Sequence, residues 1–268
     1  MNSKRTSNQT ETNLDSPIVM LHGLRGTRQG LFLIKKHLAG FKVIIPDLPA
    51  FGTEAPYKSQ TIEDYVEWIN DFISKQDLTT KPLLIGHSFG SIIAAGYAAK
   101  YPSNIQKLIL INPVAEKTIN VTGFMGAMFI KTQYWLGRTL PEKAARKLLS
   151  AKIFVDGMSV YTTITRDQTL RKFIRDQHRT YFSTFHDTRS LSQAFMTSAS
   201  RSVGEFATKI KTPTLLIAGD KDYLTKVSKQ QELANKIKNS KLVVIKNVGH
   251  LTHYETPDQI ADEIKKFI

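Results

Sequence analysis

The 268-residue chain contains no cysteine. Structural disulfides, thiolate metal sites, iron–sulfur clusters and a cysteine nucleophile are thereby excluded. No run approaches the roughly 18 apolar residues of a membrane-spanning helix. The opening segment, MNSKRTSNQTETNLDS, is almost purely polar and lacks the apolar stretch of a secretory signal. Residues 1–16 are expected to be a disordered tail, and the cytoplasm is the expected location. Acidic side chains are also scarce: 23 Asp and Glu face 37 Lys and Arg, a formal net charge of +14. Such a surplus draws anionic partners non-specifically, so weak electrostatic contact with a membrane surface is expected. No zinc-finger spacing, RNA-recognition aromatic motif or long basic block accompanies it, so no specific nucleic-acid binding is expected.

What is present reads as a globular domain, with 41% hydrophobic and 22% charged residues. Short apolar runs alternate with longer amphipathic stretches, which is the pattern of βαβ units and a parallel sheet. The runs are Pro17–Leu21, Phe41–Ile45, Lys81–Ile85, Lys107–Ile111, Thr212–Ala218 and Lys241–Ile245. Helical spacing falls between them at Gly30–Leu38, Thr61–Ile73, Ser91–Lys100 and Lys226–Ile237, and at Pro257–Ile268 beyond the last. From residue 114 to 205 the alternation lapses into helical patterns alone. That stretch holds 14 Lys or Arg and 7 Asp or Glu, a net of +7. The expected fold class is α/β: a mostly parallel central sheet with flanking helices over 17–113 and 206–268, interrupted by a helical cap over 114–205. Ligands of parallel sheets bind at the carboxyl ends of the strands, where such an insertion would cover them.

Gly86-His87-Ser88-Phe89-Gly90 reads G-x-S-x-G, between a buried apolar run and a helix of small residues. That strand–turn–helix context is the nucleophile elbow, in which a serine hydroxyl stands clear of the sheet. Serine needs a base. His250 follows the last apolar run, near the same carboxyl edge as Ser88, and His253 is the alternative three residues on. The base needs an orienting carboxylate; Asp220 and Asp222, after the Thr212–Ala218 run, both qualify by position. The loop His22-Gly23-Leu24 after the first run supplies a second main-chain donor for an oxyanion: the N–H groups of Leu24 and Phe89 are the expected pair.

Together, Leu21-His22-Gly23-Leu24, Pro46-Asp47-Leu48-Pro49-Ala50-Phe51-Gly52, the Ser88 pentapeptide, Gly219-Asp220-Lys221-Asp222 and Gly249-His250 resemble the capped, single-domain members of the α/β-hydrolase superfamily. The resemblance spans nearly all of the chain outside the tail and implies Asp222 as the acid. Ala50 and Ser91 stand where the family often has glycine, and serine at the nucleophile position argues against the carboxylate-nucleophile epoxide hydrolases and haloalkane dehalogenases. The implied activity is hydrolysis of a small-molecule ester with an apolar acyl group through Ser88, Asp222 and His250, without metal or organic cofactor. Lactone or C–C bond hydrolysis, or small-ligand binding with weak turnover, are the alternatives within the same resemblance. The aromatic- and Met-rich stretch Val121–Trp135 suggests an acyl pocket, so His22, Phe124, Met128 and Trp135 are the candidate substrate contacts.

Overall fold

The computed structural model describes residues 16–118 and 124–268, the side chains of 124–131 aside. Six strands form one parallel sheet in the order β2-β1-β3-β4-β5-β6: β1 (Ile18–Leu21), β2 (Val43–Ile44), β3 (Leu83–His87), β4 (Lys107–Ile111), β5 (Thr214–Gly219) and β6 (Ser240–Ile245). Around it lie α1 (Phe32–His37), α2 (Ile62–Ser74), α3 (Phe89–Lys100), α9 (Val227–Lys236), α10 (Thr252–Glu255) and α11 (Pro257–Phe267). Between β4 and β5 come α4 (Phe124–Thr139), α5 (Glu142–Leu149), α6 (Lys152–Thr162), α7 (Gln168–Tyr181) and α8 (Thr188–Ser200). The fold is thus the α/β class expected from the alternation of runs.

The strands read as continuous apolar runs because both faces of the sheet are covered. Alternate side chains divide between two cores. Val19, Leu21, Leu84, Leu108, Leu110 and Leu216 join Val66, Ile69 and Ile92 of α2 and α3. Ile18, Met20, Leu83, Ile85, Ile109 and Ile217 join Ile34 of α1 and Ile260 and Ile264 of α11. The run at Phe41–Ile45 contributes only two strand residues, because this edge pairs with β1 only at Ile18–Val43 and Val19–Ile44. Residues 1–15 of the expected tail lie outside the described residues. Ser16, also assigned to that tail, is instead 1% exposed, and its hydroxyl accepts from the Gln106 amide at 3.0 Å.

The chain steps from β1 outward to β2, then crosses back to place β3 on the other side of β1. At such a reversal the connections diverge and leave a crevice at the strands' carboxyl ends. The helices of 114–205 sit over that end. Their two ends meet: the Val203 N–H donates to the Val114 carbonyl at 2.8 Å. An isolated antiparallel bridge joins Phe185 to Phe51 of the β2 exit loop, flanked by His186 N–H to Ala50 O at 3.0 Å.

Helix α2, which packs against α3, starts in a reciprocal cap: Asp64 N–H donates to Thr61 Oγ1 at 3.1 Å and Thr61 N–H to Asp64 Oδ2 at 3.2 Å. Thr61→Ala should therefore cost about 1 kcal/mol, read as a lower urea midpoint with an unchanged slope.

Candidate active site

Ser88 sits between β3 and α3 with φ +52° and ψ −117°. A non-glycine residue held there costs about 1–3 kcal/mol, and the surroundings enforce it. A Cβ on Gly86 would lie 2.3 Å from the Gly90 carbonyl oxygen, and one on Gly90 2.5 Å from that of Leu21. Only hydrogen fits at either point, so α3 leaves the sheet at a sharp angle. The Ser88 N–H donates to Ile111 O at 3.0 Å. Ser91 clamps the turn: its hydroxyl donates to the Ser88 carbonyl at 2.5 Å and accepts the Val114 N–H at 3.1 Å.

His250, in the loop after β6, places Nε2 2.8 Å from Ser88 Oγ and Nδ1 2.8 Å from Asp222 Oδ2. Asp222 is 3% exposed. Its Oδ1 accepts the N–H groups of Leu224 and Thr225, and its Oδ2 accepts from Thr225 Oγ1 and Asn112 Nδ2. Burial disfavours this carboxylate, but the electrostatic attraction of His250 and the hydrogen bonds from His250 and Thr225 outweigh that and hold its pKa below the usual carboxylate value. Asp220 turns away and accepts the Asn247 N–H at 2.6 Å. His253 packs its ring 4.1 Å from that of His87, so of the two candidate bases it is His250 that meets Ser88.

Phe89 is the first residue of α3, so its N–H has no acceptor within the helix. Its ring is turned into the core, 5.2 Å from that of Tyr65. Leu24 lines the cavity above Ser88. His22 lines it too, but both ring nitrogens are engaged: Nε2 accepts the Leu48 N–H at 2.9 Å, which leaves Nδ1 to donate to Gly23 O at 2.8 Å. Only its ring faces the cavity. Trp135 does not reach the site; it is 56% exposed, while Tyr134 lines the cavity. Adjacent helix positions are turned about 100° from each other. The side chains of Phe124 and Met128 lie outside the described residues.

Several organising residues carried no signal in the sequence. Asn112, at the carboxyl end of β4, donates to Asp222 and to Gly249 O at 3.2 Å and accepts from Thr252. His87 Nε2 donates to the His250 carbonyl at 3.2 Å. Glu255 binds the N–H groups of Ile164 and Thr165, between α6 and α7, with one oxygen and that of Gly249 with the other. Arg25, next to Leu24, has φ +59° and is 1% exposed. Its guanidinium donates to Phe182 O at 2.9 Å and Leu149 O at 2.8 Å, and lies 5.3 Å from the Phe154 ring centre.

The profile of the alpha/beta hydrolase fold family matches residues 16–257. The chain belongs to this family. This α/β-hydrolase is 30% identical to Lipase 1 of Psychrobacter immobilis over 101 residues, 36% of this chain but only 31% of the lipase. It is 26% identical over 183 residues to (E)-2-((N-methylformamido)methylene)succinate hydrolase of Acinetobacter baylyi, covering 62% of this chain and 68% of that one. Among solved structures it is similar in fold to a thermophilic esterase from Thermogutta terrifontis, with TM-score 0.75 and 21% identity over 94% of this chain and 89% of that one. It is similarly close to the enol-lactonase of Burkholderia xenovorans, with TM-score 0.76 and 19% identity over 94% and 91% of the two chains.

Two predictions arise from this geometry. Arg25→Met deprives two buried carbonyls of a charged donor, so it should cost about 1.5–3 kcal/mol per lost bond, read by urea denaturation. Arg25→Lys should recover little, since one ammonium cannot reproduce the planar fork. The second concerns pH. Burial pushes His22 and His178 down to about 4 and His87 to about 3. Below about pH 6.5, the ordinary histidine value, the unfolded chain takes up protons that the folded one refuses. Their stabilisation is therefore complete above that pH and is lost as pH falls towards 4 and then 3. Each histidine should add a slope of up to about 1.4 kcal/mol per pH unit in that window; a denaturation midpoint unchanged from pH 7.5 to 5 would contradict this.

Proposed function

We propose that this α/β-hydrolase is a serine carboxylic-ester hydrolase. The observation that carries the reading is the unbroken chain from Asp222 through His250 to Ser88, with both links at 2.8 Å, beneath a largely apolar cavity of about 250 Å³. His250 takes the Ser88 proton as the hydroxyl attacks the ester carbonyl. The oxyanion rests on the N–H groups of Leu24 and Phe89; one such donor is worth about 3–4 kcal/mol at the transition state. The imidazolium protonates the departing alcohol. Water, deprotonated by the same ring, then splits the acyl-enzyme. Asp222 holds Nδ1–H towards itself, so that Nε2 faces the serine.

A cavity of about 150 Å³ holds benzene, so one of about 250 Å³ admits on the order of ten non-hydrogen atoms. Short acyl chains fit. With p-nitrophenyl esters from acetate to palmitate, kcat/KM should peak between butyrate and hexanoate. Ser88→Ala should remove turnover, and Asp222→Asn should lower kcat by about 10⁴ through the wrong tautomer. Full activity in Ser88→Ala would end the reading; no turnover on any ester would turn it towards lactone or C–C bond cleavage.

The cap adds a surface. Of the large apolar side chains exposed among the described residues, all but Phe32 lie in the cap, Ile153 at 84% and Val160 at 61% among them. Exposed apolar groups amid a net positive charge suit weak docking on anionic lipid. Vesicles of anionic lipid should then bind the protein, and less so as salt rises.

A further inference from the structure

The cavity above Ser88 has an arm with chemistry that the ester mechanism does not use. Among the described residues, both ring nitrogens of His178, Nδ1 of His253 and the hydroxyl of Thr27 are buried with no protein partner, and all three residues line the cavity. The two histidines pack against Tyr254. Its ring centre lies 6.0 Å from that of His178 and 4.2 Å from that of His253. Its hydroxyl faces Gly30, on the turn whose first bond is Gly30 N–H to Thr27 O at 3.0 Å. His253 in turn touches His87, 4.1 Å ring to ring, beside the nucleophile. The arm thus begins at the reacting bond and reaches up to α7 of the cap.

Buried polar atoms in folded proteins nearly always have a partner, so a ligand group is the natural complement here. The donor set limits its chemistry. A neutral imidazole offers one N–H and one lone pair, and the threonine hydroxyl offers both roles. Burial holds His178 at about 4 and His253 well below the ordinary histidine value, so both are uncharged near neutrality. Despite the chain's charge of +14, no Lys, Arg, Asp or Glu among the described residues lines the cavity. An anion finds no fixed cation among these lining residues; a group that both donates and accepts hydrogen bonds finds matching partners.

We propose that the arm formed by His178, His253 and Thr27 binds an uncharged, hydroxyl-bearing alcohol portion of the substrate, so that the enzyme favours short-chain esters of a polyol such as glycerol. This rests on the serine-hydrolase reading above. Ser88 attacks the acyl carbon and its proton passes through His250 to the polyol oxygen as the C–O bond breaks. Water then releases the carboxylic acid and restores Ser88, so one water is consumed per ester.

The test compares glycerol 1-monobutyrate with pentyl butyrate, which has the same number of non-hydrogen atoms but no hydroxyl. The wild type should favour the glycerol ester in kcat/KM by at least about tenfold, since sites built around a hydroxyl reject its absence strongly. In His178→Phe and, independently, Thr27→Val the ratio should collapse towards one, mainly through KM. A wild-type ratio at or below one would overturn the proposal, as would a ratio unchanged in both variants or a preference for the butyrate ester of lactate. Calorimetric binding of the two esters to Ser88→Ala separates the two readings. Selective binding of the glycerol ester without turnover in the wild type would sink ester hydrolysis and leave the arm standing. Equal binding would sink the arm.

Discussion

A guanidinium cannot shed its charge by losing a proton, so burying one obliges the protein to surround it with acceptors. Arg25 meets this demand with no carboxylate among the described residues. The carbonyl of Leu149 ends α5 and that of Phe182 follows α7. Both helix ends carry partial negative charge, and the phenylalanine rings of residues 154 and 185 present their faces. The ends of α5 and α7 thus converge on one side chain of the loop after β1. Because Arg25 follows Leu24, the geometry of the His22-Gly23-Leu24 loop and the seating of α5 and α7 form one mechanical problem. The positive φ of Arg25 shows that the backbone is bent to serve it.

The other side of the cavity is tied down by carboxylates. Glu255 spans from the cap at Ile164 and Thr165 to Gly249, the residue before His250. Asp222 collects main-chain and side-chain donors from the end of β4, from its own turn and from His250. Neither His250 nor Asp222 relies on one contact for orientation: Asn112, the Asp222–Thr225 turn and His250 follow β4, β5 and β6 at the same edge of the sheet. Parallel strands make this possible, because all their exits face one way.

That edge was legible in the residues. The apolar runs, the glycines flanking Ser88 and the order serine, acid, histidine carry the fold and the heart of the site, because each is a local pattern with a local cause. The two aspartates after β5 differ only by two positions, and spacing could not choose between them; the resemblance pointed to Asp222, the one whose carboxylate the structure sets against the histidine. The organising contacts were not legible. Arg25 reaches acceptors 157 and 124 residues away, and Asn112 an acid 110 residues away; nothing in the surrounding sequence marks them. Trp135 failed for a different reason. Composition marks α4 as apolar but does not say which of its sides faces inward, and one residue of rotation separates the buried Tyr134 from the exposed indole.

The bond between Val203 and Val114 has an evolutionary reading. An insertion that leaves and rejoins its host at neighbouring points hardly disturbs the strands on either side, and lengthening it adds only slowly to the entropy of closing the loop. It behaves as a cassette. Ser91 sits at that junction, touching both Val114 and the serine turn, so a cassette of another length or shape would meet the same doorway. Exchange of that stretch would leave the contacts among Ser88, His250 and Asp222 where the strand ends hold them.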